Sequence, residues 1–303
     1  MDQIVDITQD GRHISKDRGF LKVECEGQLV GRVPLDQIAA VIVHAHGITW
    51  SNSLLVELSE RGIVVVLCAA NHMPRSILLP LEGHHAQGAR MRAQWSSPEP
   101  LRKQAWKRVV IAKIKMQAAA LAAIGQRSAS IEYMVRKVQS GDSTNVEAQA
   151  ARAYWPLLFG PRFRRDPDSP DVNGLLNYGY TVLRAAMARA VVSVGLHPTF
   201  GIFHSNRGNA FALVDDLMEP FRPLVDLTAF SILSHSGPDV TPAAKQTLAK
   251  LIALDLPLTG ETSPVSVAMS RLAVSLAQSF VSRKLDLALP DPPDHEILKS
   301  LGT

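Results

Sequence analysis

The pattern of apolar and polar positions changes character near residue 81. Before it, apolar residues come in short, often β-branched runs: Ile4 to Ile7, Phe20 to Glu24, Gln28 to Val33, Ile38 to His44, Ile63 to Ala69 and Ser76 to Leu81. Gly11, Gly19, Gly27, Gly47, Gly62 and Pro74 punctuate these runs, which predicts strands joined by tight connections. Ser51 to Arg61 differs, because Leu54, Leu55 and Leu58 recur at helical spacing behind a Ser51 or Ser53 cap. Residues 82–100, EGHHAQGARMRAQWSSPEP, are polar and read as a linker. Beyond them, Leu101 to Gln126, Ile131 to Gln139, Asn145 to Leu158, Ala210 to Met218, Pro242 to Leu254 and Val265 to Ala288 read as helices. Gly174 to Val194 is apolar on nearly every side, which predicts a helix at the centre of a bundle. The Pro-rich end, LALPDPPDHEILKSLGT, predicts a loose tail. The expected fold class is α+β in two domains: a small mostly-β N-terminal domain over 1–81, a linker over 82–100, and a larger all-helical C-terminal domain over 101–303.

Composition narrows the class further. With 303 residues, 46% of them hydrophobic, the chain can bury a proper core and is neither disordered nor fibrous. Its longest apolar run, Ile63 to Ala70, falls well short of the roughly 20 residues that span a bilayer. The start MDQIVDITQD carries Asp2, Asp6 and Asp10 and lacks the layout of a secretory signal. Cys25 and Cys68 form neither a CxxC pair nor a disulfide framework. A soluble cytoplasmic protein with no membrane partner is therefore expected. The net charge of +4 conceals a strong asymmetry: residues 90–165 carry 15 Lys and Arg against 4 Asp and Glu, whereas both flanks are mildly acidic. A basic middle suits a polyanion surface. It suits a solvated helix face equally, and charge alone does not decide between them.

Motifs exclude more than they assign. Gly83 and Gly88 have the spacing of a phosphate loop, but Ala89 and Arg90 stand where Lys and Ser or Thr are required. GxGxxG, HExxH and GxSxG are absent, so nucleotide hydrolysis, dinucleotide redox chemistry and zinc proteolysis lack support. His84 and His85 read as a solvated pair, His44 and His46 as structural residues at a strand end. What remains lies in the helical half. His204 sits in a glycine-flanked loop ahead of Asp216 and Glu219, which are three apart and share a helical face. Pro220 disfavours helix there and predicts an extended Glu219 at a helix end. Glu147 interrupts the Ala-rich stretch NVEAQAARAYW, where an acid is costly unless paired or metal-bound. Carboxylates with a neutral imidazole suit Mg²⁺ or Mn²⁺. Such an ion polarises a phosphoryl oxygen and activates a water or a 3′-hydroxyl. Arg162, Arg164 and Arg165, with the Lys and Arg residues along 102–115, could hold phosphates on either side. The same residues also fit an ordinary first-turn acid at Glu147 and a surface pair at Asp216 and Glu219, so both readings stay open on the residues alone.

The blocks NVEAQAARAYW, LLNYGYTVLRAAMARAVVSVGLHPTFGIFH and DDLMEPFRPLVD, in this order and spacing, resemble the CRISPR-associated adaptation integrase family (Cas one). The resemblance extends over nearly the whole chain, and DLMEPFRP looks most like members from type II systems. It implies a metal site of Glu147, His204 and Glu219, with Asp216 as a further acid near the metal. Arg162, Arg164, Arg165 and Arg184 are assigned to DNA by position. It also implies homodimers through the β region, two of which clamp a small second adaptation protein in a heterohexamer. The implied substrates are double-stranded DNA, a prespacer with free 3′ ends and the repeat array, joined with Mg²⁺ or Mn²⁺ by 3′-hydroxyl transesterification. An effector nuclease is implied as a further type II partner. The competing readings are a metal-dependent nuclease on branched or single-stranded DNA and a non-enzymatic DNA-binding scaffold.

Overall fold

The computed structural model describes residues 3–69, 73–204, 206, 208–258 and 261–302. Asp2, and Ala70 at the end of the long apolar run, lie outside them. The N-terminal region is strand-rich, with β1 (Gln3–Ile7), β2 (Arg12–Asp17), β3 (Phe20–Cys25), β4 (Gln28–Pro34), β5 (Ile38–Val43), β6 (Thr49–Trp50), β7 (Val64–Cys68) and β8 (Pro74–Leu78) around helix α1 (Asn52–Glu60). Two four-stranded sheets result. One has the order β1-β5-β7-β8, parallel except for the β7–β8 pair, and the other the order β4-β3-β2-β6. The β3–β4 turn places both Glu26 and Gly27 at positive φ, the backbone that two-residue hairpins demand.

Alternation within β5 explains its unbroken apolar sequence. Val41 and Val43 face the second sheet and α1, packing with Ile14, Leu21, Leu54 and Leu58. Ala40 and Ile42 face the opposite way and join the helical core together with Val64 and Val66. A strand buried on both faces has no polar side to show.

The C-terminal region is helical: α2 (Gln87–Trp95), α3 (Glu99–Ala123), α4 (Ala129–Met134), α5 (Val146–Phe159), α6 (Asn173–Ser193), α7 (Ala212–Met218), α8 (Arg222–Ser236), α9 (Pro242–Ala249), α10 (Val265–Ser282) and α11 (His295–Gly302). Helix α6 packs against β5, β7, α7, α8, α9 and α10, the central position that its all-round apolarity predicts. Helix α10 is long and apolar enough by composition to cross a membrane, but half of it is buried against the other helices.

Several expectations are corrected. The C-terminal region is not all-helical, because β9 (Asp255–Leu258) and β10 (Glu261–Pro264) pair as an antiparallel hairpin before α10. The stretch read as a linker contains α2 and the start of α3. Gln94 of α2 is buried and binds the backbone of His197 and Phe200, so a polar sequence here marks a docked helix. The tail is not loose: α11 buries Leu298 against α3 and α8. Glu219 is not extended either. Its φ of −52° and ψ of −43° continue the helix into a 3-10 turn over Glu219–Phe221, which carries Pro220 between α7 and α8.

Candidate active site

Four separate elements converge on one small region, and each side chain has a local reason for its place. Helix α5 opens just after Asn145, which adopts the left-handed conformation. Asp142 caps it, accepting from the amides of Val146 at 2.8 Å and Glu147 at 2.9 Å. This cap satisfies two donors that would otherwise be orphaned and fixes the first turn, where Glu147 sits. Glu219 is held in the turn between α7 and α8, nearly fully buried. Its Oε1 lies 3.0 Å from Nε of Arg222.

Between the two glutamates stands Lys113, from the buried face of α3. Its ammonium contacts Oε1 of Glu147 and lies 2.5 Å from Oε2 of Glu219. Burial works to raise the pKa of Glu219, yet Arg222 and Lys113 outweigh it and hold the carboxyl below its ordinary range. Burial likewise opposes the charge of Lys113, and Glu219 and Glu147 overcome it, so its pKa stands above the usual lysine value.

His204 approaches from the loop between α6 and α7. Its Nδ1 binds Oδ1 of Asp216, and the same carboxylate accepts from the amides of Ile202 at 2.8 Å, Phe203 at 2.9 Å and, more weakly, His204 at 3.3 Å. Asp216 itself is fully buried. The hydrogen bond from His204 raises the imidazole pKa against the effect of burial. Burial lifts the Asp216 pKa, although His204 and the amide of Phe203 pull it back. The imidazole meets Trp106 edge-on at 5.4 Å, and Trp106 stacks flat on Phe203 at 4.4 Å. Together these contacts fix the ring and direct Nε2 away from Asp216.

The structure brings the residues of the sequence grouping into one region. Glu147, His204 and Glu219 converge. Asp216, expected as a further acid near the metal, binds Nδ1 of His204 and the amides of the loop that carries it. The donor set fits a hard divalent cation: two carboxylates, one imidazole with a free nitrogen, and a buried Glu219 Oε2 that lacks hydrogen-bond geometry to its neighbours. Among the described residues no three His, Cys, Asp or Glu side chains meet closely enough to hold an ion as they stand. Lys113 occupies the space between the two glutamates and supplies the positive charge there. Beside His204 a groove of about 580 Å³ opens, lined by residues including Trp95, Arg102, Phe200 and Gly201. Trp95 at its mouth is 72% exposed and meets Phe200 edge-on at 4.9 Å.

Two of the arginines assigned to DNA have partners within the fold. Arg165 donates to Oδ1 of Asn173 at 2.8 Å and Oδ1 of Asn177 at 2.7 Å and lies over the Tyr180 ring. Arg184 pairs with Asp215, which also accepts from Asn209 in the loop before α7. Both guanidiniums brace the fold. Arg162 and Arg164 are exposed. His84 and His85, rings 4.2 Å apart and tilted by 30°, lie at the approach to α2, with His84 accepting from the amide of Ala86. Lys113, Asp142 and Arg222 were missed by sequence reasoning. Lys113 carried a readable signal: Trp106, Val110, Lys113 and Gln117 recur at core spacing, so this lysine occupies an apolar face.

The family described as CRISPR associated protein Cas1 matches residues 5–239. The chain is 33% identical over 290 residues to the CRISPR-associated endonuclease Cas1 of Neisseria meningitidis serogroup C (strain 8013), covering 94% of this chain and 95% of that protein. Its fold resembles a casposase bound to integration product, with a TM-score of 0.81 and 19% identity over 96% of this chain and 94% of that one. It also resembles a chain of a Cas6-RT-Cas1–Cas2 complex, with a TM-score of 0.71 and 18% identity over 93% of this chain and 35% of that one.

Proposed function

Because the chain belongs to the Cas1 family of CRISPR-associated proteins, we propose that it is a metal-dependent DNA integrase of CRISPR adaptation, inserting short duplexes into the repeat array. The observation that carries this reading is that Lys113 bridges Glu147 and Glu219, and that both of these carboxylates act electrostatically on His204. Glu147, Glu219 and Nε2 of His204 would hold Mg²⁺ or Mn²⁺, and such an ion supplies polarisation of a phosphoryl oxygen and activation of the attacking hydroxyl. Asp216 holds the imidazole tautomer that leaves Nε2 free. Trp106 and Phe203 wall off one side of the ring, while the groove beside it admits a strand end. In the reaction the prespacer 3′-hydroxyl attacks an array phosphate, and the 3′-oxygen of the broken strand leaves. One phosphodiester forms as one breaks, so no nucleotide triphosphate is consumed, in keeping with a sequence that lacks a phosphate loop.

Exposed Arg162 and Arg164 and the outward cations of α3 contact the DNA backbone in this reading. The assembly is a pair of homodimers on a dimer of a second adaptation protein, and the likeness to a chain of a Cas1–Cas2 complex supports it. We place the chain with type II systems, where an effector nuclease is a further partner and the compartment is cytoplasmic. The second reading, hydrolysis of branched or single-stranded DNA at the same site, is favoured by the endonuclease designation of the Neisseria relative.

The test uses a labelled duplex with free 3′-hydroxyls, a supercoiled repeat plasmid and the second adaptation protein, with and without Mg²⁺ or Mn²⁺. Metal-dependent joining of label to plasmid is expected, lost in Glu147→Ala, His204→Ala and Glu219→Ala while duplex binding persists. Cutting without joining favours the nuclease. Joining at wild-type rates by all three variants overturns the site.

A further inference from the structure

The metal reading leaves one feature unexplained: a lysine lies buried inside the acid cluster. Lys113 is one of the few charged side chains among the described residues to be nearly excluded from water. Its neighbours on α3, including Val109, Val110, Ile114 and Met116, are apolar and buried, so water does not solvate the ammonium. A charge in such a place is retained only where partners compensate for its lost hydration. Here the partners are the two glutamates named above as ligands, one on α5 and one between α7 and α8. Without Lys113 the cluster would hold two carboxylates in one buried site, which repel each other. Arg222 offsets only Glu219, through Oε1.

We propose that Lys113 is a positioning residue of this site, a built-in counter-ion that bridges Glu147 and Glu219 before a divalent cation binds and is displaced from them when it does. The inference rests on the assignment of those glutamates as ligands. Helix α3 supplies the bridge between α5 and the α7–α8 turn, so the ammonium sets the separation of the two carboxylates before the ion arrives. An incoming divalent ion competes for the same oxygens, because Oε1 of Glu147 and Oε2 of Glu219 both face Lys113. Once released, the ammonium remains tethered by its flexible four-carbon stem within reach of the site, where it can pair with a backbone phosphate. The arrangement lowers metal affinity in exchange for a preformed site, and it couples metal occupancy to the position of one lysine.

Two measurements on the full-length chain without DNA test this. Mn²⁺ binding is followed by electron paramagnetic resonance for wild type, Lys113→Met and Glu219→Gln. Lys113→Met removes the competing charge and is expected to bind Mn²⁺ about tenfold tighter, with a larger metal-induced rise in melting temperature. Equal or weaker binding by a folded Lys113→Met overturns the proposal. The second measurement needs no substitution. Reductive methylation of wild type, read by peptide mass spectrometry, is expected to label Lys113 several-fold faster with Mg²⁺ than with chelator. Labelling indifferent to Mg²⁺ overturns the proposal even where Lys113→Met fails to fold. Glu219→Gln separates the premises: Mn²⁺ binding equal to wild type in that variant removes the metal site itself, whereas weakened binding there with unchanged Lys113 labelling removes only the role of the lysine.

Discussion

Asp216 and His204 form a closed unit: the carboxylate takes Nδ1 of the imidazole and, with the same two oxygens, the amides that bend the loop carrying it. One buried acid therefore sets both the path of the backbone and the tautomer of the ring. Asp216→Asn keeps the volume but turns one acceptor into a donor, which must face either the imidazole or the amides of Ile202 and Phe203. A buried donor left against donors costs about 1–3 kcal/mol. Loss of such an outer-shell partner lowers metal affinity by about 10- to 100-fold. Denaturant unfolding and Mn²⁺ titration check both, and a variant unchanged in each would remove the assigned role.

Gly201 makes the same turn possible from the backbone side. A Cβ there would lie 2.4 Å from the carbonyl oxygen of His204 and 2.8 Å from Oδ2 of Asp216. Both neighbours are fixed, one as main chain and one by its hydrogen bonds, so neither can yield. Gly201→Ala is expected to lower strand transfer at least as far as Asp216→Asn, with duplex affinity kept. Wild-type transfer by this variant would show that the loop geometry is not required.

The arginines separate by partner. Arg165 satisfies Asn173 and Asn177 and covers Tyr180, so Arg165→Ala is expected to cost ~2 kcal/mol of stability. Arg162→Ala and Arg164→Ala are expected to spare stability and to reduce the salt dependence of DNA binding by about one counter-ion each. Binding isotherms across a salt series decide it: an unchanged slope for both exposed arginines would move the DNA surface elsewhere.

What the sequence made legible follows from period and face. The all-round apolarity of α6 announced a helix at the centre of the bundle, where it lies, and the apolar run of β5 announced a strand, which is buried throughout. Strand β2 was invisible because only Ile14 of its six residues is buried, leaving no alternation to read. Helix α2 was hidden by its polarity, since its burial is carried by Gln94 and not by an apolar stripe. At the site, the resemblance of the three sequence blocks grouped Glu147, His204 and Glu219. It set Asp216 apart as a further acid, but its bond to Nδ1 of His204 spans 12 residues of loop and helix and has no sequence signature. Lys113 was counted with the basic stretch of α3, although its position in the helical period sets it opposite the solvent-facing Lys and Arg residues. Its partners come from α5 and the α7–α8 turn, and no local pattern in α3 announces them.

The last prediction concerns the polar layer beneath Glu219. Asp226 on α8 is buried and accepts from the hydroxyl of Tyr180, and the Arg222 that pairs with Glu219 lies over the same tyrosine ring. Burial pushes the Asp226 carboxyl from 3.8 up to about 7, against the hydrogen bond from Tyr180 and the charges of Lys113 and Arg222. The unfolded chain releases this proton near 3.8. Between the two values the folded chain binds the proton more tightly than the unfolded one, so this group's contribution to stability is greatest at the acid end and declines as pH rises through about 7. Asp226→Asn retains an acceptor for Tyr180 and carries no titrating proton, so its stability lacks this decline. Metal-free wild type and variant, unfolded by urea at steps from about pH 5 to about pH 8, are expected to diverge in the variant's favour by about 2 kcal/mol over the range. The comparison cancels every other titrating group common to both proteins. Parallel curves would mean that Asp226 is charged throughout, with Arg222 then serving it as well as Glu219.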